Sequence, residues 1–347
     1  MVTRNLMNDK ISIPLDELRE ICTSSLIKTG VSIKYAEIVA DTLLEADLRG
    51  VTSHGIKNLP VYINRIQNGG INVNSEPEIK RISHNIYLID GKGGLGQVAA
   101  YAGVEILRKS ADDNNIAVVG VKNTNHCGML AYYTKRISSD KNIGFMCSNT
   151  NPNIAAYGGA EPVLGTNPFS IAVPYNESNI ILDMATSSVA KGKIYEHDMK
   201  NEPIPTGWAL DSEGNITTNP KDAINGVLLP FGGHKGYSLA LMIEILSGVL
   251  TGSGFSKEVY SLHKDIDRIQ NVGFLMAVIP IEPFIKLDKF MNRLVSMVKI
   301  IKNGKKQKNV KEVFLPGEIE ERTYQRKLKE GISVEKELLQ QIKLLKG

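Results

Sequence analysis

The stretch IYLIDGKGGLGQVAAYAGVEILRKSADD, residues 86–113, decides between two folds. Ile86–Asp90 reads as a strand, and Val98–Asp112 repeats its apolar residues at helical spacing. Between them Gly91, Gly93 and Gly96 match G-x-G-x-x-G, with Asp112 and Asp113 near the distance expected of a ribose-binding acid. On that reading the loop cradles a pyrophosphate and the domain is doubly wound. The rival reading asks for glycine only because another backbone approaches the helix N-terminus closely. Three glycines at this spacing arise easily by chance, and both readings stand on these residues alone.

Upstream, Ile13–Gly30 and Ser32–Arg49 have helical apolar periodicity, the first opened by Pro14 and closed by Gly30. A short break, Gly50-Val-Thr-Ser-His54-Gly55, carries an imidazole before a third helix, Ile56–Asn68, ended by Gly69-Gly70. The first seventy residues therefore form a helical unit. Downstream, strand Ile116–Val121 leads into Lys122-Asn-Thr-Asn-His126-Cys-Gly128, a second imidazole on a polar turn, and then a helix through Tyr132, Tyr133 and Ile137. Gly144–Cys147 is a strand that feeds Cys147–Lys193, where strands Phe169–Pro174 and Ile180–Leu182 lie among loops of Gly, Asn, Thr, Ser and Pro. Small, donor-rich loops at strand ends are where α/β proteins hold polar ligands. Asp183 ends the second of these strands. It is either part of such a site or a cap on the helix that MATSSVAKG begins.

Tyr195–Asp222 reads as a surface β excursion. Gly232-Gly233 before His234-Lys235 opens the apolar helix Gly236–Leu250, an arrangement suited to an anion. A strand at Val272–Ile279, a helix at Lys286–Ile301, a strand at Val313–Leu315 with a turn at Pro316-Gly317, and a closing helix at Glu335–Leu345 complete the chain.

The 347 residues can bury a large core, and 42% hydrophobic with 22% charged content is that of a soluble globular protein. The net charge of +4 is small, and the lysine-rich Lys299–Lys311 has no interleaved aromatics, so it reads as a solvated loop and nucleic acid is not an expected partner. No apolar signal core and no run of roughly eighteen apolar residues appears, so neither export nor a membrane is expected. Cys22, Cys127 and Cys147 have no metal spacing and cannot all pair, which favours a reduced, cytoplasmic setting. No H-x-x-x-H or C-x-x-C offers a metal site, and no G-x-S-x-G offers a nucleophile elbow. His54, His126 and Asp183 remain as polar groups at element ends. Ketone–alcohol interconversion by hydride transfer needs one acid/base group and a cofactor pocket, with neither nucleophile nor metal. A lone turn histidine is more often structural, and His84, His197 and His263 are read that way.

Seven runs appear in order: DLRGVTSHG (47–55), NTNHCG (123–128), GTNPFSIAVP (165–174), LDMATSSVAKGK (182–193), IPTGWALDSEG (204–214), LLPFGGHKGYSLALMIEILSGVLTG (228–252) and LPGE (315–318). With them the chain resembles the malate/L-lactate dehydrogenase-like family of NAD(P)-dependent oxidoreductases over nearly its whole length. The resemblance implies an α/β fold without a Rossmann domain, which makes GKGGLGQ a helix-entry loop. The implied parts are a helical N-terminal subdomain (1–75), a mixed α/β segment (76–130), a mixed-sheet cofactor-binding domain (131–283) and a C-terminal segment (284–347) packing against the first. It implies NAD or NADP as cofactor, a homodimer, and hydride transfer at C2 of a small 2-hydroxy or 2-keto acid of malate, lactate, ureidoglycolate or sulfolactate type. Reduction of a cyclic imine carboxylate, or dinucleotide binding without catalysis, are the alternatives.

By the same match His54, His126 and Asp183 are the catalytic candidates, with Asp183 binding cofactor or orienting a histidine. Ser148, Asn149, Thr150, Asp183, Met184, Ala185, His234, Lys235, Gly317, Glu318 and Ile319 align with cofactor-contacting positions, and Ser53, Lys57 and Tyr62 with the substrate side. Two positions depart from the family pattern. Asn58 stands where Arg is common after the SHG histidine, with Lys57 before it, and an ammonium cannot reproduce a bidentate guanidinium clamp. Phe274 stands where a His is common.

Overall fold

The computed structural model describes residues 10–113, 115–139 and 141–346. Its centre is a seven-stranded sheet in the order Glu78–Ser83, Ile86–Asp90, Ala117–Thr124, Val272–Pro280, Asn142–Ser148, Phe169–Tyr175, Ser178–Met184. Ile86–Asp90 and Ala117–Thr124 run parallel, and every other neighbouring pair is antiparallel. A doubly wound domain needs successive parallel βαβ units. The mixed order therefore decides residues 86–113 against the dinucleotide fingerprint.

The glycines of that stretch serve a close approach instead. A Cβ on Gly96 would lie 1.9 Å from the Asn125 carbonyl oxygen and 2.6 Å from that of His126, and one on Gly91 would lie 2.7 Å from Thr124. Asn125 Nδ2 returns the contact, donating to the carbonyls of Gly93 and Gly94 at 2.9 Å each. The loop that opens helix Gly96–Asp112 is thus locked onto the turn that carries His126.

Alternation places the core. Val272, Phe274, Met276 and Val278 are buried along the long strand, in one cluster with apolar residues of helices Gly96–Asp112 and Ala131–Ser138. Phe274 is fully buried there. A second core joins helices Leu15–Lys28, Ile33–Leu48 and Leu59–Gln67 with Ile332, Val334, Leu339 and Ile342 from the far end of the chain. Lys10–Ile13 pairs antiparallel with Ile332–Glu335, so both ends of the described chain are held in this helical unit.

A smaller five-stranded sheet takes in Ile154–Ala155, Pro162–Leu164, Ala209–Leu210, Ile216–Thr217 and Val227–Leu228. The excursion over 195–222 is not all β, because its start lies in helix Lys191–Lys200 and its end in helix Pro220–Asn225. That first helix also begins eight residues after Asp183, so Met184 ends the strand and the ATSS that follows it is not helical. Val313–Leu315 is not a strand. It leads into helix Glu318–Glu330, which buries no residue and whose first turns are held by side-chain pairs such as Arg322 with Glu318. Among the described residues no helix is long and apolar enough to cross a membrane.

Candidate active site

Register across the sheet brings the polar turns to one end. Thr124 pairs with Val272, Phe274 with Ser148, Cys147 with Phe169, and Phe169 with Met184. The turns holding His126, Ser148–Thr150 and Asp183–Ala185 all leave from that end. The break carrying His54 reaches it from the helical unit, with the two imidazole centroids 5.4 Å apart.

Each imidazole is braced. Asp47 Oδ2 accepts the Ile56 N–H at 2.7 Å, and Gly55 has no room for a side chain, since a Cβ would fall 2.1 Å from the Asp47 carboxylate. Ser53 Oγ lies 2.8 Å from His54 Nδ1. Buried Asn58 donates to the Ser53 carbonyl at 2.9 Å, so this position braces the turn from inside. Lys57 is exposed, and its charge bears on His54. The His126 N–H donates to Gln270 Oε1 at 2.9 Å, and its Nδ1 lies 2.7 Å from the Tyr62 hydroxyl. Tyr62 is 1% exposed, so it stands behind His126 instead of lining an open cleft.

Two supports escaped sequence reasoning. Asn125 Oδ1 accepts from the Gln270 N–H at 3.0 Å and from Arg65 Nη2 at 3.3 Å. Arg65 has no exposed surface and also donates to the carbonyls of Leu262 and Asp265 at 3.2 and 2.8 Å. This guanidinium ties the 261–270 loop to the His126 turn across some 200 residues of chain, a link that no local pattern announces.

Burial, and secondarily the Lys57 ammonium, pushes His54 down to about 4. Burial, then His54, His263 and the Arg65 guanidinium, pushes His126 down to about 3. Both rings are therefore neutral at pH 7. Desolvation, with Glu320 adding to it, pushes the Asp183 carboxyl up to about 7, opposed by one hydrogen bond.

That hydrogen bond comes from the Ala131 N–H at 2.8 Å, so Asp183 caps helix Ala131–Ser138, not the helix after MATSS. Asp183 hydrogen-bonds to neither imidazole. Gly317, at φ +82°, packs on the strand that carries Asp183: its Cβ position is 3.0 Å from the Ile181 carbonyl, and the Ile181 N–H donates to Pro316 at 3.0 Å. Glu318 is engaged by Lys302, Arg322 and the Leu315 N–H, and Ile319 is exposed.

Asn149 is fully buried and spent on framework bonds, donating to the Gly254 carbonyl at 2.7 Å and accepting the Gly273 N–H at 2.9 Å. Ser148 is buried, and Thr150 Oγ1 accepts the Thr166 N–H at 2.9 Å. His234 and Lys235 are exposed at a helix start reached through Gly232 and Gly233, with φ of +58° and +61°. A dinucleotide fits this set. The buried Ser187 Oγ just past Ala185 has no partner, Met184 and Ala185 are part-exposed beside it, and the glycine-opened helix N-terminus with Lys235 suits a phosphate. Among the described residues no group of three His, Cys, Asp or Glu side chains is placed to hold a metal ion.

Comparison with known proteins places these observations in a family. A family model described as malate/L-lactate dehydrogenase matches residues 13–343. A malate/(S)-sulfolactate dehydrogenase of Methanothermus fervidus is 39% identical, over 94% of this chain and 95% of its own. An NAD(+) ureidoglycolate dehydrogenase of Escherichia coli is 32% identical, over 95% and 94%. The solved sulfolactate dehydrogenase of Methanocaldococcus jannaschii superposes with a TM-score of 0.90 at 37% identity, covering 96% of each chain.

Proposed function

The chain belongs to the malate/L-lactate dehydrogenase family, and from that premise we propose how its residues work as an NAD(P)-dependent oxidoreductase on C2 of a small 2-hydroxy or 2-keto acid. The observation that carries the assignment of roles is the pair of braced, neutral imidazoles 5.4 Å apart at the end of the large sheet. Bound NAD or NADP supplies the hydride acceptor or donor. Ser187 and the Asp183–Ala185 strand end would hold the nicotinamide side, and the helix start at His234-Lys235 a phosphate.

His126 exchanges the hydroxyl proton. Its Nδ1 is engaged by Tyr62, which leaves Nε2 for the substrate oxygen. His54, with Nδ1 on Ser53, lies beside it and orients the same oxygen or the adjoining carboxylate. The Lys57 ammonium attracts the carboxylate as a point charge, because Asn58 offers no guanidinium. Asp183 sets the charge at the nicotinamide side. A neutral imidazole can take a proton from the alcohol, and the imidazolium can return it to the ketone.

Purified protein with NADH or NADPH and a panel of 2-keto acids is expected to oxidise the cofactor. His54→Ala and His126→Ala should each lower kcat by about a hundredfold or more, the scale of lost acid/base catalysis, with NADH fluorescence binding retained. Full turnover in both variants would sink these roles. Oxidation with a cyclic imine carboxylate alone would move the substrate class to C=N reduction, and binding without any turnover would leave a dinucleotide-binding protein.

We also propose a homodimer and a cytoplasmic setting. Met242, Ile245, Val249 and Leu250 leave large apolar surface exposed along one helical segment, at 49, 40, 55 and 65%, and all three cysteines are buried thiols. Light scattering at micromolar concentration that returns a monomer mass would remove the dimer.

A further inference from the structure

Helix Gly96–Asp112 carries a side chain with no place in the account above. Gln97, its second residue, is 1% exposed, and neither Nε2 nor Oε1 makes a hydrogen bond of normal geometry. The amide lies within reach of the Tyr62 hydroxyl. An amide orphaned at both ends inside a protein calls for an explanation, and its neighbour here is the group that holds His126.

The proton count on His126 supplies one. To take a proton from an alcohol, His126 must present a bare Nε2, so its own proton sits on Nδ1. To return a proton, the ring must be an imidazolium, which again carries a proton on Nδ1. In both working states Nδ1–H donates to the Tyr62 oxygen, 2.7 Å away. Tyr62 then has to send its own hydroxyl proton elsewhere. The His54 ring and the exposed His263 act on His126, the Arg65 guanidinium can only donate, Gln270 Oε1 already accepts the His126 backbone N–H, and beside Gln97 the other side chain that bears on the Tyr62 hydroxyl is the Cys127 thiol, a weak acceptor. The Gln97 amide is free, and a rotation that exchanges its two ends presents Oε1 to the hydroxyl.

We propose that Gln97 is a positioning residue whose amide oxygen accepts the Tyr62 hydroxyl proton, which keeps the His126 proton on Nδ1 and Nε2 bare for the substrate oxygen. The relay runs His126 Nδ1–H to Tyr62 Oη–H to Gln97 Oε1. During oxidation the alcohol proton passes to Nε2, and during reduction it returns to the carbonyl oxygen, with the Nδ1 proton staying in place. The inference rests on His126 as the acid/base group, but its main readout is independent of turnover.

That readout is the nitrogen NMR spectrum of 15N-histidine-labelled protein near pH 8, which separates the two neutral tautomers. The wild type is expected to carry the His126 proton on Nδ1. Gln97→Met, nearly isosteric and without an acceptor oxygen of that kind, is expected to move it to Nε2, with the protein folded by circular dichroism. Turnover should then fall about tenfold in kcat with little change in KM, as for a weakened base. In a Tyr62→Phe background the same substitution should cost nothing more, because the relay is already cut. A wild-type proton on Nε2, a tautomer unmoved by Gln97→Met, or an equal kcat loss in both backgrounds would overturn the proposal. If Gln97→Met does not fold, the wild-type spectrum decides alone: Nδ1–H upholds it and Nε2–H overturns it. If no 2-keto acid is turned over at all, the assigned reaction fails while the tautomer result still stands.

Discussion

At the scale of single residues, Asp183 has two separable duties, a cap and a charge. Asn caps a helix about as well as Asp, so Asp183→Asn keeps an oxygen for the Ala131 N–H and removes only the charge. The melting temperature is expected to change by no more than about 2 °C, as for a cap loss well under 1 kcal/mol, while NADH affinity or kcat falls about tenfold or more. Unchanged binding and turnover would reduce Asp183 to its cap. The two imidazoles make a separate prediction about pH. In the folded chain they stay neutral down to about 4 and about 3, whereas in the unfolded chain they take up protons near 6.5. Between those values the unfolded state binds more protons, so stability falls as pH drops from 6.5 toward 3. Asp183 acts in the opposite sense, since its folded value of about 7 exceeds the ordinary 3.8; its contribution weakens as pH rises through that window, and its exposure keeps it small. Melting curves from pH 7.5 to 5 should therefore show a decline that a His54→Asn, His126→Asn double variant flattens, and parallel curves would show that other groups set the acid limb.

At the scale of elements, the helix-entry loop and the His126 turn behave as one object. Gly96→Ala would put a methyl 1.9 Å from the Asn125 carbonyl oxygen, and rigid backbone stands on that side. Overpacking of this kind costs roughly 1–3 kcal/mol, and the shift falls on His126 next door, so kcat should drop more steeply than stability does; wild-type kcat with a lowered melting temperature would separate the loop from the site. This coupling marks the boundary of what the sequence discloses. Helix Leu15–Lys28 and strand Val272–Pro280 are readable because each buries one periodic face, and helix Ile33–Leu48 because its apolar residues recur at helical spacing even though its second half is buried all round. Helix Glu318–Glu330 is not, because it buries no residue and takes its order from charge pairs. Helix Lys191–Lys200 is hidden similarly, with Ile194 its one buried position. His54 and His126 are visible as imidazoles on polar breaks. Tyr62 behind His126, Asp47 beneath Gly55, and Arg65 on Asn125 depend on contacts closed by the fold, and no spacing along the chain encodes them.

At the scale of the whole molecule, the site depends on two cores meeting. His126 leaves the large sheet, while His54 and Tyr62 belong to the helical unit, whose core is completed by Ile332, Val334, Leu339 and Ile342. We propose that this unit, residues 10–75 with the C-terminal strand and helix, unfolds before the sheet does, and that turnover is lost with it. Ile342 is fully buried in that core and far along the chain from any polar turn of the site. Ile342→Ala should cost about 2–5 kcal/mol, a large part of the margin of about 5–15 kcal/mol typical of a folded protein. Because the loss falls on one core, urea titration is expected to split: activity and helical circular dichroism decay first, and the fluorescence of Trp208, packed by the smaller sheet's cluster, changes at higher denaturant. At low urea the variant should keep wild-type KM and kcat, since Ile342 is absent from the site's contacts. Coincident transitions by all three probes would instead mean that the two cores unfold as one cooperative body, and the helical unit would then be a part of the fold with no stability of its own.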